Sequence, residues 1–340
     1  MNLHKFPRRG YVKSPTPIEF LPRLSQILQV DVFVKRDDLL EGCLGGNKTR
    51  KLDFSIAKAL SQGADAIVTC GAIQSNHCRL TLAWSIRENL DCHLILEERV
   101  KDTYDPRASG NNFIFNLLGA ASIKIVPGGA DVQSEMEALS NDLLSKGKKP
   151  FVIPGGAADP IGALGYAACA QEITAQLLES DYGLTHLVCA SGSGGTQAGL
   201  LAGFAASNTP LKVIGVNVRR PTKKAQEDLI KTLTADTLKL LDCPHPLDPK
   251  LVLCLEKYLG PGYSLPSPQT LEAVRLLAKT EAILVDPVYT GKALAGLMDL
   301  ARTGYFKKGE RVLFLHTGGF PALFAYLDQF PDLIGPAFKG

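Results

Sequence analysis

Seven residues, Gly45-Gly-Asn-Lys-Thr-Arg-Lys51, carry the first cluster of reactive groups in this chain. The glycines let backbone approach a partner closely, and Asn47 is placed to cap a helix whose first turn holds Lys48, Arg50 and Lys51. Cations are unfavourable there because the helix dipole is positive at that end. Either an anion neutralises the crowding or a lysine gives up its proton, and a lysine so depressed is a good amine nucleophile or Schiff-base former. A solvated basic first turn would carry the same letters. The run is not a nucleoside-triphosphate loop, because Asn47 separates Gly46 from Lys48.

Two further loops repeat the theme of a strand running into a helix. Gly71-Ala-Ile-Gln-Ser-Asn-His77 offers amides, a hydroxyl and an imidazole where a carboxylate or phosphate is welcome, although plain Ser/Asn capping looks alike and His77 alone reads as structural. Ala190-Ser-Gly-Ser-Gly-Gly-Thr-Gln-Ala-Gly199 can cradle a phosphate with backbone N–H groups and the Ser193 and Thr196 hydroxyls, or can be a tight turn. Gln197 stands where a dinucleotide fingerprint needs its third glycine, and Asn217-Val-Arg219 offers no acid for a ribose, so a monophosphate is favoured over NAD. A Gly-x-Ser-x-Gly nucleophile elbow is absent as well. Val285-Asp-Pro-Val-Tyr-Thr-Gly-Lys292 and Phe314-Leu-His-Thr-Gly-Gly-Phe-Pro321 complete the set; the second puts Thr317 at the end of a buried strand, where parallel sheets bind ligands.

The elements needed to hold these loops are legible as short β-branched runs alternating with helical patterns, which predicts an α/β fold with a largely parallel sheet. Strands are expected at 31–35, 66–70, 93–96, 123–126, 151–153, 186–190, 212–218 and 312–316. Helices are expected at 48–62, 76–88, 133–146, 162–179, from 196, and near 222–241, 268–281 and 291–303. The stretch 154–160 is the best boundary candidate, and 101–112 reads as a mobile loop. Composition agrees with a globular chain of 340 residues: 45% hydrophobic, 21% charged and a net charge of +3, too small to make nucleic acid or a membrane surface the main partner. The first residues lack the apolar region of a secretory signal, and eight widely spaced cysteines without a Cys-x-x-Cys read as buried free thiols, so a cytoplasmic location is expected and no metal site.

In this order, the five motifs resemble the fold-type II pyridoxal 5′-phosphate enzymes, with the tryptophan synthase β-like fold, and more narrowly the D-cysteine desulfhydrase / 1-aminocyclopropane-1-carboxylate deaminase family. The resemblance rests on Lys35-Arg-Asp-Asp38, Gly-Gly-Asn-Lys48, Gln74-Ser-Asn-His77 and His316-Thr-Gly-Gly319, and runs from Phe6-Pro7 and Pro15-Thr-Pro17 to Ala322-Leu-Phe324. It implies two open, mostly parallel sheets flanked by helices. A large cofactor-binding domain would comprise 1–49 and 163–340, and a small α/β domain 50–162, with the site between them in a homodimer.

By the same resemblance, Lys48 is the Schiff-base lysine and Lys51 the lysine near the cofactor phosphate. Ser193, Gly194, Gly195 and Thr196 cradle that phosphate. Asn76 meets the ring hydroxyl and Thr317 the ring nitrogen. Gln74, Ser75 and Asn76 meet the substrate, and Tyr289 helps to move protons; Lys48, Tyr289 and Ser75 form the catalytic set. In the deaminase branch a glutamate follows the active-site tyrosine and a leucine occupies the position of Thr317, whereas this chain has Thr290 and Thr317. Hydroxyls support a protonated ring nitrogen less than a carboxylate does, which points to β-elimination over cyclopropane opening. The expected substrate is D-cysteine, which would yield pyruvate, hydrogen sulfide and ammonia. The alternative is L-cysteate with sulfite leaving, for which Glu97-Glu-Arg-Val100, Ser109-Gly-Asn111 and 217–226 have counterparts in L-cysteate sulfo-lyases. Arg107, Arg219 and Arg220 are the candidates to meet a sulfonate. A non-catalytic cofactor- or amino-acid-binding protein is the reading from a different class.

Overall fold

In the computed structural model, which describes residues 1–333, two sheets carry the loops singled out above. The larger is six-stranded and takes in both ends of the chain. Its members are β1 (Ile18–Phe20), β2 (Asp31–Lys35), β7 (Leu184–Ser191), β8 (Lys212–Asn217), β9 (Leu253–Leu255) and β10 (Arg311–Leu315), in the order β1-β2-β10-β7-β8-β9. Only the edge pair β1–β2 is antiparallel. The smaller sheet is four-stranded and wholly parallel: β3 (Ala66–Ala72), β4 (Asp91–Glu98), β5 (Ser122–Pro127) and β6 (Pro150–Ile153), in the order β5-β4-β3-β6. Every residue of β3 is buried, as a strand covered by helices on both faces must be.

The helices fill the crossovers. α1 (Pro22–Leu28) precedes β2. α2 (Lys48–Ser61) leads into β3, followed by α3 (Asn76–Arg87), α4 (Asn111–Leu118) and α5 (Val132–Ser145) around the smaller sheet. α6 (Pro160–Glu179), α7 (Gly195–Ala206), α8 (Lys223–Leu240), α9 (Pro268–Glu281) and α10 (Thr290–Arg302) flank the larger one. α7 is buried along Gly195–Phe204 and packs on α6 through small residues; a Cβ on Gly199 would lie 2.3 Å from the Ala163 carbonyl oxygen. Gly165 of α6 likewise meets α2, where a Cβ would fall 2.3 Å from the Arg50 carbonyl oxygen. Among the described residues no helix is long and apolar enough to cross a membrane. All eight cysteines are free, and six of them are buried.

The expected strands and helices are present, with ends moved by at most two residues. Three differences have physical causes. The expected mobile loop ends in α4, which starts at Asn111 behind Gly110 in the left-handed region. Asn47 does not cap α2: its backbone is helical, and its amide instead donates to Thr196 Oγ1 at 3.0 Å. The stretch 154–160 turns into α6 at Asp159, whose side chain caps the helix.

Candidate functional site

One cleft gathers the C-terminal ends of strands from both sheets, where the outward dipoles and unpaired N–H groups of the following helices converge. β3 delivers Cys70, Gly71 and Ala72, then Ser75 and Asn76 at the start of α3. β7 delivers Ser193, Gly194 and Thr196 around the start of α7, and β10 delivers Thr317. The glycine loop before α2 closes against this last segment, with the Asn47 backbone N–H donating to the Thr317 carbonyl at 3.0 Å. Gly46, at φ +123°, makes that approach possible: a Cβ there would lie 3.2 Å from the same oxygen.

Lys48 and Lys51, three residues apart, share the face of α2 that meets the cleft. Burial pushes the Lys48 ammonium down to about 8. Burial, with Lys48 beside it, drives Lys51 well below the ordinary lysine range. Lys51 Nζ donates to the Gly156 carbonyl at 3.2 Å, and neither ammonium has a carboxylate in ion-pair contact among the described residues. Arg50, by contrast, turns to the other side of the helix and joins Asp37 and Glu172.

Opposite Lys51 lies an open seat. Gly194 takes φ +92°, and α7 presents its first N–H groups beyond it. A Cβ on Gly195 would lie 2.9 Å from Lys51 Nζ, and one on Gly156 would lie 2.5 Å from Ser193 Oγ. Two buried lysines without a carboxylate in ion-pair contact, a helix N-terminus and glycines that leave the space clear fit the phosphate of pyridoxal 5′-phosphate. Lys51, Ser193, Gly194, Gly195 and Thr196 would hold that group, and Lys48 is the free amine above it.

The remaining expected residues divide between the cleft and its supports. Ser75 Oγ caps α3 by accepting the Cys78 N–H at 3.1 Å and also lines the cleft. Asn76 and Thr317 line it as well. Gln74 does not: its oxygen accepts the Asn111 N–H at 2.8 Å, and its NH2 donates to the Ser109 carbonyl at 2.9 Å, so both halves of the amide hold the 109–111 loop. His77 is structural. Thr69 Oγ1 spends its hydrogen on the Ile153 carbonyl, so His77 Nε2 donates to Thr69 and the ring is neutral, with burial pushing its pKa well down. Tyr289 lines the cleft with its hydroxyl hydrogen-bonded to that of Tyr263, and burial, reinforced by Tyr263, raises its pKa well above the ordinary value.

Thr290 is off the cleft. Its hydroxyl donates to Asp286 at 2.6 Å, and the same carboxylate collects the N–H groups of Val288, Tyr289 and Thr290. An anion at the start of α10 is satisfied there by the helix dipole, so of the two threonines only Thr317 lines the cleft. Of the three arginines considered, Arg107 is exposed and lies outside the cleft, and Arg220 donates to the Gly192 carbonyl at 3.0 Å. Arg219 lines the cleft, and its guanidinium has no hydrogen-bond partner among the described residues.

Two cleft residues were given no role by the sequence reading, although Arg99 lies in the quoted 97–100 segment. Arg99, just past β4, stacks 4.4 Å above the Tyr263 ring and gives its Nε to Glu97 at 2.7 Å. Tyr263 projects from a tight turn closed by the Gly262–Leu265 bridge. The position of Arg99 at a strand's C-terminal end was a usable signal; the turn that carries Tyr263 gave none.

A family model described as pyridoxal-phosphate dependent enzyme matches residues 11–318. Among solved structures, an ACC deaminase homologue is 35% identical, with a TM-score of 0.87 over 98% of each chain. A hydrogen sulfide-producing enzyme from Fusobacterium nucleatum is 16% identical, with a TM-score of 0.65 over 90% of this chain and 96% of its own. A fungal L-serine ammonia-lyase from Rhizomucor miehei is 18% identical, with a TM-score of 0.65 over 94% of this chain and 98% of its own. The last two share the fold.

Proposed function

The chain belongs to the pyridoxal-phosphate dependent enzyme family, and from that premise we propose that it is a carbon–sulfur lyase that removes the β-substituent of a cysteine-like amino acid. Pyridoxal phosphate, when bound, supplies the sink for the electron pair left at Cα after proton removal. The protein's part is to place bases, donors and charges around it. Lys48, with a pKa near 8, is a neutral amine for an appreciable fraction of the time at neutral pH and can take the Cα proton. Ser75 and the N-terminus of α3 suit the substrate carboxylate. The joined hydroxyls of Tyr263 and Tyr289 form a proton path on the wall of the cleft.

The observation that supports a charged leaving group is the pair of guanidiniums. Arg219 has no partner for its charge, and the Arg99 Nη atoms make no hydrogen bond among the described residues. A thiol has little use for two cations, whereas a sulfonate carries a permanent charge and three acceptor oxygens. This favours L-cysteate over D-cysteine, the reverse of the order suggested by the motifs. The net reaction converts L-cysteate and water into pyruvate, ammonium and hydrogen sulfite, with the sulfur leaving on the electron pair of the Cβ–S bond. D-cysteine remains the second reading, on the strength of the motif resemblance.

Pyruvate release from L-cysteate, D-cysteine, L-cysteine and the cyclopropane acid, measured side by side, tests this. L-cysteate should be turned over best, and Arg219→Ala should raise its KM by roughly 10- to 100-fold, the loss expected for a charge-assisted contact. D-cysteine turnover should change less than about threefold in the same variant, since a thiol makes no such contact. Faster D-cysteine turnover that ignores Arg219→Ala would return the assignment to the thiol. Preference for the cyclopropane acid would overturn elimination altogether.

A further inference from the structure

Arg79 is among the largest fully buried side chains in the protein, yet no carboxylate pairs with it among the described residues. Its Nη1 and Nη2 donate to the carbonyls of Cys43 and Gly45, in the loop that leads to Lys48, with the second contact at 3.1 Å. Its Nε donates to Asn111 Oδ1 at 2.7 Å. Asn111 in turn uses both amide hydrogens, one to the Gln74 carbonyl at 3.0 Å and one to Asn76 Oδ1 at 2.8 Å. Asn76 Nδ2 then has no partner among the described residues, and Asn76 lines the cleft.

A guanidinium only donates, whereas an amide can point either way. Once Arg79 fixes Asn111 Oδ1 as an acceptor, each later link has one sense, and the chain must end with Asn76 showing N–H to the cleft. We propose that Arg79 is a positioning residue that acts through Asn111 to orient and polarise Asn76 as a donor to an anionic oxygen on the cofactor ring. Charge-assisted donors strengthen the hydrogen bonds that follow them. Burial lowers the Arg79 pKa to about 10, which leaves it charged at neutral pH. The inference rests on the reading of the cleft as a cofactor site.

The test uses the whole chain reconstituted with pyridoxal phosphate, and reads the pH midpoint of its visible absorbance together with the cofactor Kd. The variants leave Lys48, Lys51, Arg99, Arg219 and Asp286, the other charged groups around the cleft, in place. A donor to the ring oxygen favours the deprotonated state, so its loss raises the midpoint. Asn76→Ala should raise it by about one unit, and Asn111→Ala by roughly half a unit with a several-fold weaker Kd. Arg79→Lys, still a donor without an acceptor, should stay nearer the wild type than Arg79→Gln. If Asn76→Ala shifts the midpoint while Asn111→Ala and Arg79→Gln match the wild type, the relay is wrong and the cofactor reading stands. If the wild-type protein gains no visible band, or Asn76→Ala leaves the midpoint unchanged, the placement of the cofactor itself fails.

Discussion

At the level of single residues, the cleft works by withholding counter-ions. A lysine in water is almost entirely protonated at neutral pH, and an ammonium has no lone pair with which to attack a carbonyl. Burial brings Lys48 to about 8, so its neutral fraction climbs steeply between pH 7 and pH 9. The rate at which cofactor-free protein takes up pyridoxal phosphate should therefore rise about tenfold over that interval. Stopped-flow absorbance will show this, and a flat profile would mean that the amine is not the limiting group. The crowding of Lys48 and Lys51 into one helical turn was readable from their type and spacing, whereas the roles expected of them came from the family resemblance. Arg79 was not readable, because several arginines sit at the ends or starts of elements, and only the fold shows that this one is buried with no acid beside it.

At the level of elements, the same kind of glycine serves two purposes with opposite outcomes on substitution. Gly195 opens α7 with ordinary helical geometry, and the atom nearest an added methyl is the mobile end of Lys51. Gly195→Ala should fold as well as the wild type, with a melting temperature unchanged or slightly higher from better helix propensity. It should nonetheless bind the cofactor at least about tenfold more weakly, because a methyl beside a buried cation displaces a charge-assisted contact. Gly165→Ala would drive its methyl into the Arg50 carbonyl, which cannot move without separating α2 from α6. A loss of about 3 kcal/mol is expected there, measured by urea unfolding. Equal stability of the two variants would disprove this distinction. Longer elements were legible because their apolar runs have a period. β1 and β9, three residues each, have no room for one, and their pairing is decided by β2 and β8. Asn47 shows the limit of cap rules, since Thr196, 149 residues away, was the better partner.

On the scale of the molecule, a buried ionic network ties the larger sheet to the helices behind the cleft. Lys35 of β2 donates to Glu172 of α6 at 2.5 Å, and Arg50 of α2 grips both Glu172 and Asp37. Burial pulls the Asp37 and Glu172 carboxyls upward, but Arg50 and Lys35 outweigh it and hold both below the usual range. Their contribution to stability is therefore complete above the ordinary carboxyl values of 3.8 and 4.5 and is lost as pH falls through them towards the lower folded values. Glu172→Gln should cost about 3 kcal/mol at pH 7, because it leaves two buried cations sharing one acid. It should also lose less than the wild type between pH 6 and pH 3, as measured by denaturant unfolding; identical acid profiles would rule the network out as the cause.

The thiols have one more consequence. Burial raises Cys78, Cys169 and Cys189 and pushes Cys92 and Cys254 up to about 12, so these sulfurs stay protonated and inert. Sulfite and hydrosulfide sever disulfide cross-links by attack at sulfur. With all eight cysteines free, the fold has no such cross-link to lose, so the release of either species under the proposed reaction would leave its covalent structure intact.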